Sequence, residues 1–578
     1  MADPERVHVV RVLPDVSALG RTFDYTVTAD ERARVDLGTM VRVELHGRRI
    51  GGWIVGLDVE PDTDVRLLPV RKIRGLGPTE ELIELATWAS WRWAGRRRRF
   101  LGASSPERAV TGLPAPRPSL PTSGPGRELA TEALGHPVAV VRLPPSVDRA
   151  PVALAAAALG NALLLTPTQA DAQRLAGRLR RAGVPVALAP DGWAQGRAGA
   201  TVVGTRAAAW APVADLASVV VFDEHDPALK EQATPAWNGR DVAVERARRA
   251  GVPCLLVSPT PSLEALDLGP LVVPSRTEER AGWPAVEIMD RRKDDPVRGG
   301  LFAEGLTRLV RGDQRVVCVL NRTGRSRLLA CAACGTLARC EACEAAVRQL
   351  DDASLVCARC GTDRPLVCLA CGSERLKNLR QGVTRAREEL EALVGEPVGE
   401  VTGGTEQVPD TRVLIGTEAV LHRVVHADVV VFLDIDQELL APRPRAAEEA
   451  MTLVARAARL VRGRRAGSMG RLVFQTRNPG HDVLQAALLA DPQRVADSER
   501  RTRTLLRFPP VTAMARVSGE AAPAFIERLG SPLGIELLGP RDEAWLVRAQ
   551  DHTTLCDALA QVERPSGRLR LEVDPLRW

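Results

Sequence analysis

Eight of the chain's eleven cysteines lie between Cys331 and Cys371, arranged as four C-x-x-C pairs: Cys331/Cys334, Cys340/Cys343, Cys357/Cys360 and Cys368/Cys371. Each pair sets two thiolates on one tight turn, and two such turns complete a tetrahedral Zn(Cys)4 site. Glycine follows three of the pairs, at Gly335, Gly361 and Gly372, where a residue without Cβ accepts the positive φ of a turn closing on a metal. Reach decides which pairs share an ion. Five residues separate Cys334 from Cys340, short for a ribbon, whereas thirteen separate Cys343 from Cys357. The expected arrangement is therefore nested: Cys340, Cys343, Cys357 and Cys360 hold an inner zinc, and Cys331, Cys334, Cys368 and Cys371 an outer one. Disulfides, an iron–sulfur cluster and a redox dithiol are the competing uses of such pairs. Four regular pairs without a secretory signal weigh against all three. Eight ligands fill two sites and leave no open coordination position, so the metal is structural.

A chain of 578 residues divides into three to five domains. No run of about twenty apolar residues appears, so neither a membrane span nor a signal peptide is expected, and a cytoplasmic, nucleoid-associated protein is the default. The formal charge of +6 does not by itself announce a nucleic-acid partner. The kind of base is more informative: Lys72, Lys230, Lys293 and Lys377 are the only lysines among 78 basic residues.

Residues 6 to 57 read as short strands (VHVVRVLP, RTFDYTV, TMVRVEL, RIGGWIVGL), which predicts a small β-barrel or β-sandwich over residues 1–74. From Pro78 the spacing of Leu82, Leu85, Trp88 and Trp91 turns helical. Trp91 and Trp93 beside Arg96, Arg97, Arg98 and Arg99 suit base stacking and phosphate contacts, or a helix with a buried tryptophan and a solvated basic end. A Pro/Gly/Ser-rich stretch at 113–127 reads as a linker. Residues 137 to 260 alternate apolar runs (PVAVV, NALLLT, PVALA, TVVGT, SVVVF, CLLVS) with amphipathic segments, the pattern of a parallel α/β sheet. Such sheets hold ligands beyond their strands' carboxyl ends.

One of those ends carries a resemblance. VVVFDEHDPALKEQ, followed by GRDVAVERARRAGVPCLLVSPTPSLEAL, resembles helicase motifs II and III of the PriA family of bacterial replication-restart proteins (primosomal protein N′). GRTFDYTV resembles the family's N-terminal DNA-binding domain, and VVCVLNRTGRSRLLACAACG its motif IV running into a zinc insertion. VLIGTEAV, FLDIDQELLAPRPRAAEE and LVFQTRNPGHDVLQAALLADP resemble the second helicase lobe, and FPPVTAMARVSG the start of a C-terminal domain. The resemblance covers nearly the full chain. It implies a multidomain fold: the β domain (1–74), a winged-helix-like segment (75–112), and two RecA-like α/β lobes of superfamily 2 type (128–275; 276–330 with 375–490). A zinc insertion (331–374) and a small α+β C-terminal domain (491–578) complete it. Family zinc ligands fall on the same eight cysteines. Asp24, between Phe23 and Tyr25, occupies the family's position for recognising a DNA 3′ end, where a carboxylate can accept a hydrogen bond from a terminal hydroxyl.

The resemblance breaks at the nucleotide site. A motor needs a glycine-rich loop, a lysine for the β/γ-phosphates and a Ser/Thr for magnesium. After PVAVV the chain instead has Arg142-Leu143-Pro144-Pro145-Ser146-Val147-Asp148-Arg149, and none of the four lysines follows glycine or precedes Ser/Thr. Aligned on His225-Asp226, motif II sets Phe222 where the magnesium-directing aspartate belongs, with Asp223, Glu224 and His225 forming a degenerate site; a one-residue shift instead restores an Asp-Glu pair at Asp223 and Glu224, so motif II alone leaves both readings open. Motif III has Pro259, motif V has Leu421 to His426 in place of K-G-H-D-F-P, and motif VI retains only Arg456 and Arg459. These read as helix-surface arginines or as imitations of an arginine finger.

The expectation is a protein that keeps the fold and two Zn2+ but not the motor. It would bind forked and single-stranded DNA and help primosome proteins load the replicative helicase, with single-stranded-DNA-binding protein as a further partner. An ATP-dependent helicase with an unorthodox site, and a zinc-module interaction scaffold, are the alternatives. His225, His422 and His426 are expected to be structural, Cys254, Cys318 and Cys556 buried free thiols, and Arg500, Arg501, Arg503 and Arg507 either phosphate contacts or a solvated helix face.

Overall fold

The computed structural model describes residues 7–17, 19–62, 66–116, 128–292, 294, 301–321, 328–350, 354–378, 383–461 and 470–578. Most of the linker read at 113–127, Lys293 and the Arg322–Arg327 stretch of motif IV lie outside the described residues.

The amino-terminal strands are β1 (His8–Pro14), β2 (Phe23–Val27), β3 (Met40–Leu45), β4 (Arg48–Leu57) and β5 (Lys72–Gly75), antiparallel in the order β2-β1-β4-β3-β5. The first four coincide with the runs read from the sequence; β5 is too short to signal itself. His46 and Gly47, both at positive φ, make the two-residue turn joining β3 to β4. The sheet curls until Thr26 on β2 exchanges backbone hydrogen bonds with Leu68 and Val70, which closes a barrel. Its interior is β-branched: Val10, Val12, Val27, Val41, Val43, Ile54 and Val70, with Tyr25. Burial of each such side chain stabilises by about 1.5–3 kcal/mol. Two helices follow, Glu80–Arg92 and Arg97–Ser104, and pack against Trp53 on β4.

The first lobe is a seven-stranded parallel sheet that includes all six predicted strands, from Val138–Arg142 to Cys254–Ser258, plus the short edge Leu271–Val272. The second is a six-stranded parallel sheet from Ala285–Asp290 to Arg471–Thr476. Helices cover both faces, so the central strands read as unbroken apolar runs: Val219 to Phe222, Val316 to Val319 and Val429 to Val431 are essentially inaccessible. The zinc segment leaves the second lobe after the strand Val316–Val319 and returns before the helix Val383–Val394, docking on its parent through Ala346 N–H to Leu440 O.

A four-stranded antiparallel sheet with helices Ala522–Leu529 and His552–Gln561 forms the C-terminal domain. The helix Gln493–Leu506, which the sequence reading gave to this domain, packs through Val495 on the second lobe's core. Lys230 ties the first lobe to the C-terminal sheet, its Nζ donating to Val573 O at 2.6 Å and Asp574 O at 2.9 Å. Burial lowers its pKa to about 8. Asp574 also accepts from Arg92 Nη2 at 2.6 Å, so three domains meet at one carboxylate and its carbonyl. No helix among the described residues is long and apolar enough to cross a membrane.

Candidate functional site

The loop after the first strand of lobe one occupies the place where a phosphate cradle would sit, and it ends on a cation. Arg149, capping the helix Ala150–Ala157, reaches Asp223 at 3.0 Å. Asp223 follows the strand Leu216–Phe222 with φ +50° and is buried. From the second lobe Arg459 donates through Nη1 to Asp223 Oδ2 at 2.8 Å and pairs with its other oxygen as well. Burial raises the Asp223 carboxyl, but Arg149 and Arg459 together more than reverse this and hold it well below the usual carboxylate range. Two guanidinium groups thus face one buried carboxylate.

The neighbouring motif residues are equally engaged. Glu224 accepts from Ser262 N at 2.8 Å and Oγ at 2.7 Å and from Arg240 Nη1 at 3.3 Å. His225 Nδ1 hydrogen-bonds Ser258 Oγ at 2.6 Å. The cavity of about 460 Å3 behind them mixes Glu418, Glu438 and Glu448 with Arg443, Arg456 and Arg516.

Arg456 and Arg459 are not helix-surface arginines. Arg456 Nη2 donates to Asp226 at 2.8 Å and its Nη1 to Glu418 at 2.6 Å. Arg445 reaches Glu264 at 3.0 Å, Arg503 reaches the same carboxylate at 3.3 Å, and Arg500 pairs with Asp267 at 2.7 Å. Apart from Glu418, the acids here lie in or after motif II or motif III in lobe one, and every arginine lies in lobe two or the helix packed on it. Among the described residues the lobes therefore meet through five ion pairs. Arg503, read as a phosphate contact or a solvated side chain, is neither: it is 1% exposed, between Glu264, Glu448 and Glu499.

The structure brings the eight cysteines together in the nested sets: Cys331, Cys334, Cys368 and Cys371 in one, Cys340, Cys343, Cys357 and Cys360 in the other, all ligand atoms of a set within 4.8 Å. Five of the Sγ–Sγ separations, among them Cys331–Cys371 and Cys343–Cys357, are 3.5 to 3.6 Å. A tetrahedral ion with bonds of about 2.3 Å needs about 3.8 Å between sulfurs, whereas a disulfide needs about 2.05 Å. The donor set fits zinc. The four turns share one pattern, in which the residue after the second cysteine returns its N–H to the first cysteine's carbonyl at 2.9–3.0 Å. In three the residue is glycine at positive φ; in the fourth it is Glu344, at φ +58°.

At the barrel, the Asp24 side chain is 3% exposed and accepts three hydrogen bonds: Arg11 donates at 2.8 and 3.0 Å, and Asp62 N–H at 2.9 Å. The Arg11 hydrogen bond lowers its pKa. Tyr25 is core, its hydroxyl donating to Glu44 O at 3.0 Å, and Phe23 lies under the Arg21 guanidinium at 4.8 Å. Trp93 is buried against Trp88 and Phe100, and Trp91 Nε1 donates to Asp557 at 2.8 Å. Arg96 holds Ser17 O and Arg98 holds Asp15. Of the two readings of this cluster, the packing one describes these contacts. Cys254, Cys318 and Cys556 are buried thiols.

Residues 11–106 match the model of the 3′ DNA-binding domain of PriA. Along most of its length the chain is similar to the PriA replication restart protein family. It is 29% identical to the "Probable replication restart protein PriA" of Mycobacterium leprae over 93% of this chain and 92% of that one. It is 27% identical to the "Replication restart protein PriA" of Haemophilus influenzae over 66% and 60%. Among solved structures, RecG bound to a three-way DNA junction aligns with 12% identity over 65% of this chain and 46% of that one, at a TM-score of 0.35.

Proposed function

We propose that this chain is a replication-restart protein of the PriA type that works without a nucleotide motor, binding forked and single-stranded DNA and helping to assemble the primosome that loads the replicative helicase. The observation that carries the non-motor half is the neutralisation of Asp223 by Arg149 and Arg459. Phosphoryl transfer depends on positioning and charge stabilisation. In this chain the phosphate loop ends in an arginine and the acidic position is occupied by guanidinium groups, so neither element serves ATP. The DNA half is supported by the match of residues 11–106 to a 3′ DNA-binding domain.

The two four-cysteine sets hold two structural zinc ions, which fix the insertion on the second lobe. Its exposed Leu350 and Leu369, 65% and 64% accessible, favour a protein-docking role for this module, with a primosome component or single-stranded-DNA-binding protein as the partner class. Asp24 is the residue proposed to meet a 3′-hydroxyl, in exchange for one of its Arg11 hydrogen bonds. Asp24→Ala then weakens binding to an open 3′ end and spares a blocked one, and equal loss on both ends assigns Asp24 a purely structural part.

The deciding measurement is ATP binding and hydrolysis with and without forked DNA, alongside fork binding itself. The expected result is fork binding in ATP-free buffer and no magnesium-dependent turnover. Turnover stimulated by the fork would overturn the non-motor reading and restore the alternative of a helicase with an unorthodox site.

A further inference from the structure

The barrel wall carries a group of cations that its own packing leaves unused. Directly opposed residues in an antiparallel sheet share a face. Arg42 on β3 opposes Gly51 on β4 and Lys72 on β5, and Glu44, two residues on from Arg42, opposes Arg49. The alternate residues Val41, Val43 and Ile73 belong to the barrel core, so the charged set lies on the outside. Arg42, Arg49 and Lys72 are exposed and have no ion pair or side-chain hydrogen bond among the described residues. Glu44 is the carboxylate among them, and Arg71 already pairs with it at 2.6 Å. A Cβ at Gly51, in the middle, would meet nothing within 4 Å, so the centre of the patch is open and flat.

Like charges directly across a strand pair destabilise a sheet, and Arg42 opposite Lys72 is such a pair. Among the described residues nothing offsets it. Other arginines of the chain are matched to acids: Arg11 to Asp24, Arg459 to Asp223, Arg503 to Glu448. The three adjacent unmatched cations call for an anion from outside with repeated charges. The patch offers no exposed aromatic residue on which bases could stack, and so suits a phosphate backbone rather than splayed bases. It is also separate from Asp24. With Thr26 opposing Pro69 in parallel, Lys72 lies five residues along the wall from the level of Asp24, which at strand rise is about 17 Å.

We propose that Arg42, Arg49 and Lys72 form a docking surface for the sugar–phosphate backbone of a DNA duplex arm, distinct from the position that would meet a strand end. This rests on the reading of the chain as a fork-binding protein. Each phosphate neutralised releases counterions and contributes about 0.9 to the slope of log affinity against log salt. The experiment titrates the full-length wild-type protein and the Arg42→Gln/Arg49→Gln/Lys72→Gln variant against a synthetic fork with duplex arms, and against a single strand, over a range of salt. A control variant, Arg181→Gln/Arg280→Gln, removes two exposed charges elsewhere. The expected result is a salt slope on the fork shallower by about 2 to 3 in the triple variant only, with more than tenfold weaker binding at low salt and a smaller effect on the single strand. An unchanged slope in the triple variant, with wild-type protein binding forks, overturns this proposal and leaves the fork-binding reading standing. Loss confined to the single strand assigns the patch to unpaired DNA and also overturns it. Wild-type protein that binds no fork removes both.

Discussion

Arg459 and Asp223, 236 residues apart in sequence, meet at 2.8 Å across the cleft between the two lobes, and Arg149 approaches the same carboxylate from the other side. Two cations on one buried anion make Asp223 the point on which both other groups depend. Replacing it by asparagine strands two guanidinium groups, a loss of about 3–5 kcal/mol by the usual cost of breaking a buried ion pair. Asp226→Asn is milder, about 1 kcal/mol, because Arg456 keeps Glu418. Urea denaturation of both variants checks this, and equal shifts in midpoint would show that the lobes do not hinge on Asp223.

That lock was half legible in the sequence. The acids come three apart, as Asp223/Asp226 and Glu264/Asp267, and so do the arginines, as Arg456/Arg459 and Arg500/Arg503. Spacing alone does not reveal that the two sets face each other, because their meeting depends on how the lobes pack. The cysteines were legible for the opposite reason: chemistry restricts their pairing, and loop length within 41 residues decides the rest. Parallel strands buried on both faces announced themselves as apolar runs, whereas β5 and the edge Leu271–Val272 were too short to do so. Asp24 shows a third case: the sequence displays its resemblance to a family position, whereas its pairing with Arg11 emerges only from the fold.

The two metal sets differ in exposure. Cys334 and Cys371 of the outer set are exposed, while Cys340, Cys343 and Cys357 of the inner set are buried. Zinc leaves a site when a chelator can approach it, so release should be biphasic, one equivalent per chain fast and one slow. Cys334→Ser should abolish the fast phase alone and Cys357→Ser the slow one. A metallochromic chelator follows both, and a single phase would contradict the difference in access.

Asp436 gives the protein a pH dependence opposite to that of most carboxylates. Burial, reinforced by Asp434, raises its pKa from 3.8 to about 7, against hydrogen bonds from Thr476 Oγ1 and from Arg477 N–H at 2.7 Å. The folded state therefore holds a proton that the unfolded state releases, so this contribution is complete below about pH 4 and lost as pH rises through 7. It changes by up to about 1.4 kcal/mol per pH unit within that window. Asp436→Asn mimics the protonated form, with one amide proton toward Thr476 Oγ1 and its oxygen toward Arg477. The variant should match wild type near pH 4 and exceed it by a few kcal/mol at pH 8. Denaturation midpoints at the two pH values test the sign, and a gap that widens toward acid would refute it.

Glu344 is the residue at which one zinc turn departs from its three siblings. The N–H of each residue in this position returns to a cysteine carbonyl, which requires a left-handed backbone, and Gly335, Gly361 and Gly372 supply it at φ +73° to +81°. Glu344 adopts the same conformation at φ +58° with a Cβ that crowds its own carbonyl, a strain of about 1–2 kcal/mol. Its side chain is exposed and has no partner among the described residues, so nothing there offsets the strain. Glu344→Gly removes it, and the larger entropy of glycine in the unfolded chain takes back about 0.5–1 kcal/mol. The net gain should be small and positive, under about 1 kcal/mol, and confined to the inner site. It should appear as slower release of the slow zinc equivalent with the fast one unchanged. Faster release would mean that the Glu344 carboxylate makes a contribution to the inner site that outweighs its backbone strain.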